Sequence, residues 1–560
     1  MSARALYLEA AGESFLALLH DPPAGAGSRA VLLCPQLGWD DVCSYRSRFE
    51  WAERLSARGF SALRLDFPGT GDSPGSHDDP RRLDAWTQAV AEAARLLQAR
   101  GSGRVAGIGI GVGGLVLWRA VAAQAPVDEL VLWGVPANGR QVARELRAFA
   151  RVEADSLGVS DGQLAPGGFP QSAELLAELE TLDLAALPLP RRPDRRALLL
   201  ERDGLPVADV VVAELERTGA DVATGPGPGY GEMLAEPAFA RAPYPVFEQV
   251  DAWLGPAGAP AASPTKAEVE SVAVDAQVEE LPLRIEHDGK QLLGVLAQPE
   301  RPNGSLCAVL LNAGAIRRIG PNRMWVDIAR RWAALGVPTF RLDFAGIGDA
   351  EGDGARFADV GELYDPDFSA QIRAALDALQ GRLGADSFLL VGLCSGGYWA
   401  FQGAQHDRRV VATAAINPGV LVWSRLLLRD RRLQPLRSTL SRSLARGDVA
   451  ALSVLLRVVT ARLRGRLARA LRLDRLGRAL DRLRDRGTVV LFLFGEVEPQ
   501  LRELERDGYL ARLDRWPNLV LGRLPGRDHT VRPPEMQRDV HAGLDRLLDD
   551  MLHRTSRRKP

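Results

Sequence analysis

The stretch RLDFPGTGDSPG at residues 64–75 returns as RLDFAGIGDAEG at 341–352. One such segment in each half of a 560-residue chain points to two tandem units of one architecture. The repeat reaches beyond the motif itself. AVLLCPQLG and FEWAERLSARGF precede the first copy, and AVLLNAGAI and WVDIARRWAALGV precede the second. A glycine-rich turn follows each, GIGVGG at 109–114 and GLCSGG at 392–397. The period is far too long for a solenoid. From Gly255, GPAGAPAASPTKAEVESVAVDAQ is rich in Ala, Pro and Gly and reads as a connection. The expected layout is a first unit over 1–256, a linker over 257–274, a second unit over 275–553 and a basic tail over 554–560.

Within each copy, short Val/Leu/Ile runs such as ALLLERD, VVLFLFGE and LVLGRLPG alternate with amphipathic segments. Continuous apolar strands separated by helices give an α/β fold with a mostly parallel sheet covered on both faces. Chemistry in such sheets collects at the carboxyl ends of the strands.

Charge and cysteine usage exclude several classes. A net charge of −1 gives no global field for nucleic acid. No apolar run is long enough to span a bilayer, and the first residues do not read as a signal peptide. Cys34, Cys43, Cys307 and Cys394 form no C-x-x-C pair, which suits a reducing cytoplasm and argues against a disulfide framework or a zinc site. No cofactor and no metal are expected, and the oligomeric state is open.

In the second copy, FLLVGLCSGGYWA at 388–400 is a strand, a G-x-nucleophile-x-G turn and a helix start. That pattern is the nucleophile elbow of α/β-hydrolases. The turn lifts the central side chain above the sheet and aims the next N–H at a developing oxyanion. Cys394 holds the central position and Ser395 the donor position, against the alternative of a structural cysteine in a glycine-rich turn. An acid and a histidine are expected later in the chain. GEVEPQ supplies Glu498, with Glu496 as the fallback, and LVLGRLPGRDHTV supplies His529. Asp528 reads as structural. The loop after AVLL offers a second oxyanion donor at Gly314, with Ala315 as its neighbour in doubt. Arg317, Arg318 and Tyr398 are candidate substrate contacts, although loop arginines are more often solvated and Tyr398 also reads as helix packing.

The first copy lacks these groups. Gly111 stands opposite Cys394 and Val112 opposite Ser395, Asp203 lies near the acid position, and GPGPGYGEMLAEP has no histidine. A site without nucleophile or base cannot run acyl transfer, so this half is expected to be non-catalytic. Gly109, Gly111 and Gly114 also satisfy G-x-G-x-x-G, but several strands precede them and no carboxylate ends the next strand, so a dinucleotide site is a weak reading. The first half is expected to pack against the second and wall its entrance, or to bind a carrier or ligand.

Between VVATAAINPGVL and GTVVLFLFGE, residues of about 422–486 carry leucines at helical spacing and many arginines, including Arg457, Arg462 and Arg464. The segment reads as a helical cap. Its arginines are either a solvated face or an attraction for an anionic partner: coenzyme A phosphates, an acidic carrier-protein face or anionic lipid.

With these residues quoted, the chain resembles the α/β-hydrolase superfamily. More narrowly it is similar to the serine-aminopeptidase and exosortase-A-associated hydrolase-like group. CPQLGWDD, RLDFPGTGDSPG and PGYGEMLAEP carry the likeness in the first half. NAGAIRRIGPNRMWV, RLDFAGIGDAEG, GLCSGGYWAFQGA, INPGVLVW and RDHT carry it in the second. The resemblance implies esterase, thioesterase or acyltransferase chemistry by a nucleophile–acid–histidine triad on a small-molecule ester, thioester or lactone, with the acyl group free or borne by coenzyme A or a carrier protein. The cysteine nucleophile is similar to that of dienelactone hydrolases. The competing reading is a non-catalytic binding or scaffold protein of the same fold.

Overall fold

The computed structural model describes residues 3–23, 28–157, 164–258, 271–422 and 475–556. It contains two sheets. The first is built from β1 (Arg4–Ala10), β2 (Glu13–His20), β3 (Arg29–Cys34), β4 (Ser61–Leu65), β5 (Arg104–Ile110), β6 (Glu129–Trp133), β7 (Arg196–Leu200) and β8 (Asp221–Gly225). The second is built from β9 (Val272–Ala273), β10 (Val278–His287), β11 (Lys290–Pro299), β12 (Leu306–Leu311), β13 (Thr339–Asp343), β14 (Ser387–Leu393), β15 (Val410–Ile416), β16 (Val489–Gly495) and β17 (Leu519–Leu524).

The strand order is β1-β2-β4-β3-β5-β6-β7-β8 in one and β10-β11-β13-β12-β14-β15-β16-β17 in the other, with β9 added at the edge beside β10. The two orders are the same, so the repeat in sequence is a repeat in topology. In each sheet an antiparallel hairpin leads into a parallel run. Each half is a mostly parallel sheet flanked by helices. β9 lies at the end of the expected linker, while residues 259–270 of that linker fall outside the described residues.

The parallel strands are apolar and buried along nearly their whole length, as in Leu306–Leu311 and Val489–Gly495, because helices cover both faces. Most of the expected cap, including Arg457, Arg462 and Arg464, lies outside the described residues. Its end forms the helix Arg475–Asp485, which buries Leu476, Ala479, Leu480 and Leu483 in the second core. Among the described residues no helix is long and apolar enough to cross a membrane.

The halves meet through the repeated motif itself. Arg64 of the first RLDF segment pairs with Asp349 of the second motif at 2.6 Å, and Arg341 of the second RLDF segment reaches Asp72 of the first at 3.4 Å. Arg46 donates to the carbonyls of Gly348, Ala350 and Gly352 at 3.1, 2.9 and 2.5 Å. Reciprocally, Arg323 donates to the carbonyls of Gly71, Ser73 and Gly75 at 2.9, 2.7 and 3.1 Å. These matched contacts relate the halves by a local pseudo-two-fold axis, the self-complementary arrangement of an isologous dimer interface.

Arg317 and Arg318 lie in this interface, which corrects their assignment as substrate contacts. Arg317 grips Asp66 at 2.9 and 3.1 Å, reaches Asp41 at 3.2 Å and lies 3.8 Å over the Tyr45 ring. Arg318 is fully buried between Asp72 at 2.9 Å, Asp343 at 2.7 Å and Asp349 at 2.6 Å. Burial works against both guanidiniums, but the surrounding carboxylates hold their pKa values well above the ordinary arginine range. Neither is free to meet a ligand.

Candidate active site

β14 ends at Leu393, and the helix Ser395–His406 starts two residues later. Cys394 between them adopts φ 57° and ψ −118°. A non-glycine residue at positive φ is strained, and the neighbouring glycines make the bend possible. A Cβ at Gly392 would lie 2.1 Å from the Gly396 carbonyl carbon, and one at Gly396 would lie 2.1 Å from the Asn312 carbonyl oxygen. The chain therefore reverses with Cys394 raised at the strand end and its side chain half-exposed.

His529, in the loop after β17, interacts with the Cys394 thiol. Its Nδ1 lies 3.0 Å from both oxygens of Glu498. Glu498 is 3% exposed, whereas Glu496 turns outward toward Arg527 at 3.7 Å. Of the two candidate acids, the structure brings Glu498 to the histidine. Burial pulls the imidazole pKa down, but the contacts with Cys394 and Glu498 outweigh it and push His529 up to about 11. The arrangement favours the imidazolium form of His529 beside Cys394.

The expected oxyanion donors surround the same turn. Ser395 begins the elbow helix, where N–H groups have no intrahelical acceptor. Gly314 reaches the turn, but its N–H donates to Ser395 Oγ at 3.1 Å. Service as an oxyanion donor would require that bond to be shared. Ala315 follows in the same loop. Tyr398 is 7% exposed and packs against Tyr364 and Trp399 with ring centroids 5.2 and 4.7 Å apart, so helix packing accounts for it.

Two supports escaped the sequence reading. Asn417, fully buried at the end of β15, donates from Nδ2 to the His529 carbonyl at 2.9 Å and accepts from the Gly495 N–H at 2.8 Å. It fastens the acid loop to the histidine loop. INPGVLVW had marked the segment, but no pattern showed that this asparagine spans two later loops. The second support comes from the first half. Asp528 accepts from the Arg532 N–H at 2.7 Å, and Arg532 pairs with Glu153 at 2.6 Å. Asp528 is structural, as expected, and the first half braces the histidine loop. Replacing Asn417 with alanine strands two buried main-chain groups and frees both loops. We expect a fall in kcat of about 10- to 100-fold with KM little changed, by analogy with removal of groups that orient a ligand-bearing histidine. Steady-state kinetics on any processed ester would show it.

In the first half the same turn persists with a glycine at its centre. Gly111 has φ 52° and ψ −121°, nearly the backbone of Cys394. A Cβ there would lie 2.4 Å from Gln36 Oε1 and 2.6 Å from the Tyr230 hydroxyl, so those groups fill the space a nucleophile would need. Asp203 accepts N–H bonds from Gly229, Tyr230 and Gly231 at 2.7, 3.1 and 2.7 Å. Among the described residues no group of three or more His, Cys, Asp or Glu side chains is arranged to hold a metal ion.

No protein-family model matches the chain, and no curated protein matches it. Solved structures do. A lidless α/β serine hydrolase of Xanthomonas campestris matches at 16% identity, covering 45% of this chain and 93% of its own, with a TM-score of 0.30. GrgF, an α/β hydrolase of Penicillium sp. sh18, matches at 18% identity, covering 49% of this chain and 98% of its own, with a TM-score of 0.31. Est1E of Butyrivibrio proteoclasticus matches at 15% identity, covering 45% of this chain and 97% of its own, with a TM-score of 0.31.

Proposed function

We propose that the second half is an acyl-transferring or ester-hydrolysing enzyme with Cys394 as nucleophile, His529 as its acid and base, and Glu498 as the group that orients His529. The observation that carries this reading is the convergence of a half-exposed thiol at a strained strand-to-helix turn, an imidazole and a buried carboxylate. The Cys394 sulfur anion attacks the acyl carbon, and the carbonyl electrons move onto oxygen beside the Ser395 N–H. Collapse of the adduct expels the alcohol or thiol, which takes its proton from His529. The neutral imidazole then removes a proton from water or from a second acceptor, which attacks the thioester and releases Cys394. The first half runs no chemistry in this scheme and braces the His529 loop through Glu153 and Arg532.

The other three thiols make a sharp test possible. Cys34, Cys43 and Cys307 are buried, and burial pushes the Cys34 thiol up to about 12 and raises those of Cys43 and Cys307 further. A limiting amount of a β-lactone or activated acyl ester is therefore expected to add a single acyl group at Cys394, read by intact mass and peptide mapping. His529→Ala should slow that addition by about 100-fold or more. Even, slow labelling of all four cysteines, unchanged by His529→Ala, would sink the reading in favour of a non-catalytic binding protein.

A further inference from the structure

The first half has lost its nucleophile but kept a cavity. A space of about 540 Å³ opens above Gly111, within the range that holds small organic ligands. Trp39, Leu37, Val112, Leu146 and Phe149 give it an apolar and aromatic wall. Its charged lining is mostly acidic, with Asp40, Glu145 and Glu236 against Arg202. Gln171 is 7% exposed and lines the cavity; its Nε2 donates to the Phe169 carbonyl at 3.1 Å, while its Oε1 has no hydrogen-bond partner. A buried acceptor left without a donor costs about 1–3 kcal/mol, so it marks a place where a donor belongs. Asp40 also lines the cavity and is partly exposed there. Burial raises its pKa to about 6 with Glu145 and Asp41 adding to the rise and Arg202 opposing it, so the group is an anion in neutral solution. Arg202, the cation of the lining, is held by Glu145 at 3.1 Å and lies 4.9 Å over the Tyr230 ring. Glu236 adds a further carboxylate at the rim.

We propose that this cavity binds a primary organic amine with an apolar body, its ammonium donating to Asp40 and to Gln171 Oε1 and its hydrocarbon part lying against Trp39 and Phe149. An ammonium brings three donors and no acceptor, which suits the unpartnered Gln171 Oε1 together with the Asp40 carboxylate. Aromatic walls favour the same charge through their π-faces. An acidic ligand would meet Asp40, Glu145 and Glu236 with like charge. The site stands apart from Cys394 and does not depend on the proposed chemistry there.

The test is isothermal titration of the full-length protein, in mildly alkaline buffer, with three molecules of nearly one shape: phenethylamine, phenylethanol and phenylpropionate. The amine should bind once per chain, at least about tenfold more tightly than the alcohol, with the acid weaker still. Asp40→Asn should weaken the amine by about tenfold or more and leave the alcohol unchanged. Val112→Phe, which fills the cavity without touching charge, should remove binding of all three. Cys394→Ala should leave amine binding as it was, so failure of the catalytic reading would not disturb this result. Equal binding of the three molecules, an amine affinity untouched by both Asp40→Asn and Val112→Phe, or no amine binding at millimolar concentration would overturn the proposal.

Discussion

Arg318→Leu is expected to destabilise the whole chain by about 3–5 kcal/mol, the usual cost of stranding buried partners of an ion pair. That is a large part of the roughly 5–15 kcal/mol that holds a typical domain folded. Three carboxylates, Asp72, Asp343 and Asp349, lose a shared cation in a place where all four side chains are buried. Because Asp72 belongs to the first half and the others to the second, both halves should lose stability together. Urea denaturation followed by tryptophan fluorescence would report a lower midpoint in a single transition. Adding Asp72→Asn should recover part of the loss, since one uncompensated charge is then removed. Separate unfolding of the halves, with only one shifted, would show that the network does not couple them. By the same argument, residues from about Asp275 onward should not be stable alone, because that fragment exposes Arg317, Arg318 and Arg341 without Asp41, Asp66 and Asp72.

The second large effect concerns the thiol. Cys394→Ala should reduce turnover by about a thousandfold or more, with little change in the urea midpoint, since the side chain is half-exposed at a strained turn. The pH dependence gives a finer check. His529 keeps its proton through neutral pH and gives it up only toward about 11, because Cys394 and Glu498 hold it charged against the pull of burial. NMR of the imidazole resonances should therefore show His529 still protonated between about pH 7 and 9, and Glu498→Gln should bring its titration down toward the ordinary histidine range. An intact-protein His529 that titrates near the ordinary value would overturn this expectation.

Much of this architecture was legible in the sequence because it rests on local signals. The apolar runs, the paired RLDF segments and the G-x-C-S-G turn each report a backbone requirement within a dozen residues. The positions of Cys394, Glu498 and His529 were legible for the same reason: each residue follows its own strand. Arg317 and Arg318 were misread because their partners lie in the other half of the chain, and a double arginine in a loop looks solvated until Asp66 and Asp72 are folded against it. Asn417 was missed because its two bonds run to loops that no spacing rule connects. The Gly314 N–H was expected to be open and is taken by a hydroxyl from the next residue of the elbow, a detail of side-chain rotamer that the sequence does not encode locally.

The matched arginine contacts across the seam have one more consequence. In a symmetric pair of identical chains every substitution strikes both partners, so a nucleophile cannot be discarded on one side alone. Joining the two into a single polypeptide lifts that constraint. In this chain Gly111 stands where the other half has Cys394, and the shared seam joins the two halves. The covalent join thus allows a division of labour that two copies of one chain could not reach.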